Sequence, residues 1–168
     1  EKTRNKMPRW LSEGISVYEE RQANSAWGQT MTPSYRQMIL EDNLTPVSQL
    51  SGAFLQPPSA MHLQFAYFES SLVVEFLIER HGLETLQRVL DDLGVGMSIN
   101  DSLARYTGSL AVLDDEFATF ARQQAEQMAP EADWSEVQLP RGLDVATLKL
   151  WVLTHPKHFV GMSRLAAA

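Results

Sequence analysis

One segment carries a helix signal at each end. Ser59 is a good N-cap, Gly82 suits a helix stop, and the spacing between them predicts one long helix ending at His81. Its apolar stretch, Phe65 to Ile78, is interrupted by Glu69, Ser70, Ser71 and Glu75, so it is not an uninterrupted membrane span. The flanking patterns are helical too. Pro8 suits the first turn of a helix running to about Ala23, and a short helix is expected from Pro33 to Asp42. A brief helical turn is expected near Val47–Leu50 within the turn-rich "NLTPVSQLSGAFLQPPS". Leu83, Leu86, Val89, Leu90 and Leu93 mark an amphipathic helix that "GVG" ends. Ser98 with Asp101 resembles a capping box for a helix through Tyr106, and Leu113–Met128 forms another helix. Val145–Thr154 and His158–Ala168 read as two more, joined at "HPK". No segment reads as a strand, and the fold class expected is all-α.

Composition narrows the chemistry. A net charge of −7 argues against nucleic acid or an anionic membrane as the main partner. With no cysteine, the chain has no disulfide, zinc knuckle, iron–sulfur site or catalytic thiol of its own. The opening "EKTRNK" and the closing apolar "GMSRLAAA" both look like cuts, so the chain is expected to be a fragment of a longer parent.

A local anomaly points to function. In "MPRWLSEGISVYEER", Gly14 sits inside the first helix directly after Glu13, at a cost of roughly 1 kcal/mol relative to alanine. Glycine there allows another backbone to approach closely. Such an approach is useful where a carboxylate must reach a metal shared with a second helix. The segment "WLSEGISVYEE" resembles the W-L-N-E-G-[FI]-x-x-Y-x-E segment of the gluzincin metallopeptidases, matching at Trp10, Leu11, Glu13, Gly14, Tyr18 and Glu20, with Ser12 for the commoner Asn. In that clan two histidines of an H-E-x-x-H helix bind zinc, and the glutamate of the W-L-x-E-G helix is the third ligand. The resemblance implies that Glu13 is a zinc ligand and that the element close to Gly14 is the H-E-x-x-H helix. The sequence itself contains no H-E-x-x-H; His62, His81, His155 and His158 do not form it. The metal-binding helix is therefore expected upstream of Glu1, zinc is expected in the complete protein, and this chain alone is expected to hold none.

The same resemblance extends to the long helix. In the aminopeptidase branch a tyrosine after the third ligand donates to the oxyanion of the tetrahedral intermediate. "QFAYFESSLVVEFLIE" lies in the corresponding place and Tyr67 is the matching residue, although Phe68 and Glu69 stand where the family has Glu and Lys. Glu20, on the helical face of Glu13 two turns on, is the candidate for orienting the ligands. His62 reads as a surface histidine. The paired acids of "DDLG" and "LDDEF" read as caps and dipole partners at helix ends.

At the C-terminus, "LKLWVLTHPKHFVGMSRLAAA" resembles part of a tetratricopeptide repeat, which implies further repeats after it. The expected organisation is a peptidase MA-like helical part over 1–129, a linker over 130–142 and a partial repeat hairpin over 143–168. The function implied is that of a zinc metallopeptidase acting on a peptide or protein substrate, with helical repeats available to a protein partner. The alternative is a non-catalytic pseudopeptidase or repeat module.

Overall fold

The computed structural model describes residue 3 and residues 6–24, 26–135 and 144–168. The fold is all-α. Among the described residues there are nine α-helices and one 3-10 turn, with a single isolated β-bridge and no strand. The chain forms two compact units, Glu1–Met128 and Ala129–Ala168. The first contains α1 (Arg9–Ala23), α2 (Pro33–Leu40), the 3-10 turn Val47–Gln49 and α3 (Leu50–Ala53). It continues with α4 (Ala60–His81), α5 (Leu83–Val95), α6 (Ile99–Thr107) and α7 (Leu110–Gln127). The second contains α8 (Val145–Thr154) and α9 (Phe159–Ala166). None of these helices is long and apolar enough to cross a membrane.

Local chemistry sets most boundaries. Hydroxyls of Thr32, Ser59, Ser98 and Ser109 accept from the backbone N–H three residues on, capping α2, α4, α6 and α7. Ser98 also donates to Asp101 at 2.6 Å, completing the expected box. Two expectations are corrected. The Ser109 cap starts α7 at Leu110, ahead of the expected Leu113. Gly82, expected to stop α4 in the left-handed conformation, has the positive φ (+83°) that favours glycine but ψ 153°, outside the left-handed helical basin; the left-handed cap is at Gly96, after α5 has continued to Val95.

Helix α4 is the core of the first unit. Phe65, Phe68, Leu72, Val73, Val74, Phe76 and Leu77 are all buried, and α1, α3, α5 and α7 pack against it. The polar interruption read from the sequence is buried as well: Glu69, Ser70 and Ser71 are at most 1% exposed. Burial is tolerated because the serines bond back to their own helix, Ser70 to the Ala66 carbonyl and Ser71 to the Phe68 carbonyl, each at 2.7 Å. Glu69 reaches outward instead, and its Oε1 accepts from the Thr45 N–H at 2.5 Å.

The anomaly at Gly14 has a partner within this chain. A Cβ on Gly14 would lie 2.5 Å from the Ser70 carbonyl oxygen and 3.1 Å from Val74 Cγ2. The element that requires glycine here is therefore α4. The expectation that it is an H-E-x-x-H helix is corrected, because the surface above Gly14 is already filled. Arg9 meets Tyr67, Gly14 meets Ser70 and Arg21 meets Glu75, so α1 and α4 run side by side in the same direction.

In the second unit α8 and α9 form a hairpin. Gly161 permits it, since a Cβ there would collide with the Trp151 ring. His158 is fully buried; its Nδ1 accepts from Gly161 N–H at 3.1 Å, and its Nε2 donates to the Ser135 carbonyl at 3.0 Å. Trp134 stacks on Phe159 at 4.1 Å. Within the expected linker, residues 130–135 belong to this unit, and residues 136–142 lie outside the described residues.

Candidate active site

Helix α1 begins without a side-chain cap, after Pro8. Its buried stripe is Trp10, Leu11, Gly14 and Val17, which turns Arg9 and Glu13 toward the edge of the α1–α4 contact, one turn apart. Helix α4 brings Tyr67 to the same edge. The residue that joins them is Arg9. Its Nη2 donates to the Tyr67 hydroxyl oxygen at 2.6 Å, and its Nε approaches Glu13 Oε1 at 3.4 Å. The guanidinium lies over two aromatic rings, 5.3 Å from the Phe54 centroid and 5.8 Å from that of Tyr67. Phe54 and Tyr67 meet edge to face at 5.1 Å, so the cation rests on a fixed aromatic corner.

The sequence-predicted residues thus fall as follows. Glu13 and Tyr67, separated by more than fifty residues in the chain, share Arg9 as a common neighbour. The Glu13 side chain is 37% exposed and that of Arg9 56%, so the cluster is open to solvent. Glu20 is exposed farther along α1. The paired acids serve structure: Asp114 accepts from Ser48 N–H and Oγ at 3.0 and 2.7 Å, and Asp92 accepts from Ser102 Oγ at 3.1 Å. His62 is exposed, with Nδ1 2.9 Å from Ser59 Oγ.

Glu13 is one carboxylate, and its nearest charged neighbour is a cation. Among the described residues no group of three or more histidine, aspartate or glutamate side chains is placed to hold a metal. These residues do not by themselves fit a zinc ion. A cleft of about 490 Å³ lies elsewhere on the unit, between Phe76, Arg80 and Phe120, and contains neither Glu13 nor Tyr67.

One participant in the cluster and one buried acid outside it have no sequence signal of their role. Arg9 carries no motif signal, since its partners depend on tertiary contact with α4. Glu69, two residues after Tyr67, reads in the sequence as a polar interruption, and it bonds to Thr45 rather than to this cluster. Burial pushes its carboxyl from 4.5 up to about 8, with the Thr45 N–H opposing the shift, and its Oε2 is buried without a hydrogen-bond partner among the described residues.

A family model described as the Peptidase MA superfamily matches residues 1–123. No curated protein and no solved structure matches the chain.

Proposed function

The chain belongs to the Peptidase MA superfamily, and from that premise we propose that it is the helical part of a gluzincin zinc metallopeptidase that hydrolyses peptide bonds. The observation that carries the reading is the convergence of Glu13 and Tyr67 on Arg9 from two helices. In this reading Glu13 is the single zinc ligand that these residues contribute, and the histidine ligands come from beyond them. Tyr67 is the donor to the oxyanion, and Glu20 supports the ligand helix. Bound zinc would supply Lewis-acid polarisation and an activated water. The α8–α9 hairpin is the start of a tetratricopeptide-like array, and its exposed Leu150 and Leu153 are the surface on which a following repeat would pack.

The test is zinc content per chain after dialysis in the complete protein, with peptide hydrolysis measured alongside. The unaltered protein should retain about one zinc per chain. Glu13→Ala should lose most of it while keeping its helicity. Equal retention in both would remove Glu13 as a ligand and the main support of the reading. One observation favours a non-catalytic interaction module instead: Glu13 is engaged by Arg9. Zinc-free, inactive complete protein would decide for that module.

A further inference from the structure

We propose that Arg9, braced by the Tyr67 hydroxyl oxygen and floored by Phe54, forms a carboxylate-binding site that takes a carboxylate carried by the peptide substrate. This deepens the peptidase reading by naming a substrate class for the same site.

Several donors of the cluster are unused. Tyr67 accepts a hydrogen bond from Arg9 Nη2, which holds the guanidinium in place and leaves the tyrosine O–H for the oxyanion. The contact of Arg9 with Glu13 is single and long, 3.4 Å through Nε, and is not the two-pronged pairing a guanidinium makes with a fully engaged carboxylate. Nη1 has no acceptor among the described residues. Arg9 therefore presents unused N–H groups beside the Tyr67 hydroxyl. The side chain is 56% exposed, so a ligand can reach it, while the Phe54 and Tyr67 rings hold the guanidinium in place.

The chemistry of the neighbours selects the ligand. A planar guanidinium fork fits a carboxylate or a phosphate. Glu13 carries a negative charge beside the site and opposes a second, doubly charged group more strongly than a single one. The Glu13 carboxylate, 3.4 Å from Arg9 Nε, shows that a carboxylate can approach this guanidinium edge-on. The ligand class is therefore a monoanionic carboxylate, from a peptide C-terminus or from an acidic side chain.

The test uses the 168-residue chain in a metal-free buffer containing a chelator, with NMR titration of the Arg9 Nε–H and Tyr67 ring signals. N-acetyl-Ala-Ala is compared with its amide, and N-acetyl-Glu-amide with N-acetyl-Gln-amide. At least one acid should bind about tenfold or more tightly than its neutral partner; the pair that shows the difference identifies the source. Arg9→Gln should abolish the preference, Arg9→Lys should keep part of it, Tyr67→Phe should weaken it several-fold, and Glu13→Gln should strengthen binding. Acid and amide binding equally in both pairs, tighter binding of inorganic phosphate, or an unchanged preference in Arg9→Gln would overturn the proposal. If a variant fails to fold, the acid-against-amide comparison on the unaltered chain still decides. Since no metal is present, failure here leaves the Glu13 zinc test standing, and failure of that test leaves this one standing.

Discussion

At the scale of single residues, Gly14 and Glu69 break ordinary preferences in opposite ways. Alanine at position 14 would gain about 1 kcal/mol of helix propensity. It would also drive a Cβ to within 2.5 Å of a backbone carbonyl that cannot move without moving α4. Overpacking of this kind costs about 1–3 kcal/mol, more where backbone must shift, so the clash wins. Gly14→Ala should lower the chemical denaturation midpoint, whereas Gly52→Ala, with nothing within 4 Å, should leave it unchanged or raise it. Glu69 offers a pH signature. Its folded carboxyl holds a proton to about pH 8, against an ordinary value of 4.5. The stability it contributes is therefore complete below pH 4.5 and lost as pH rises through 8. Unfolding free energy of the native chain, measured against Glu69→Gln at each pH, should fall steadily across that window; a flat difference would mean that Glu69 ionises normally. Sequence reading found the glycine but assigned it the wrong neighbour, because packing partners far along the chain leave no local mark. It missed the buried acid for a simpler reason: carboxylates are ordinarily at the surface, and only the Thr45 N–H and the fold around it make this one an exception.

At the scale of elements, the caps were the legible part. Ser59 and Ser98 start helices where their side chains say they should, since a cap is decided within one turn. The tertiary ties were not legible. Asp114 on α7 binds the backbone and hydroxyl of Ser48, mooring the 3-10 turn of a segment more than sixty residues earlier. Asp114→Ala should cost about 1.5–3 kcal/mol, the range for hydrogen bonds to a charged group. Asp114→Asn should recover part of that in the same denaturation experiment. An alanine variant as stable as the native chain would show that the turn is held by Val47 and Leu50 packing and by the Asn100 bond to the Ser48 carbonyl. The site obeys the same division. Glu13 and Tyr67 are named by a resemblance carried within single segments, while Arg9 has no such mark, because its partner lies 58 residues away.

At the scale of the molecule, the core that supports the site lies wholly in the first unit, whose hydrophobic cluster runs from Trp10 to Ala125. A chain ending at Met128 should keep its far-UV helical signal and unfold in one cooperative step. Residues 129–168 alone are too short to bury a sufficient core and should be largely unstructured in isolation. A truncated first unit without a cooperative transition would contradict the division. The parallel run of α1 beside α4 has a kinetic consequence. Two neighbouring helices that point the same way cannot be joined by a tight turn, so the chain must close the long excursion from Asn24 to Ser59 before Gly14 can meet Ser70. Loop closure of this kind costs entropy before any contact rewards it, and chains rich in such distant contacts fold slowly. Tyr67 is thus separated from Arg9 and Glu13 through the early stages of folding, and a collapsed intermediate can be richly helical while its chemistry is still unassembled.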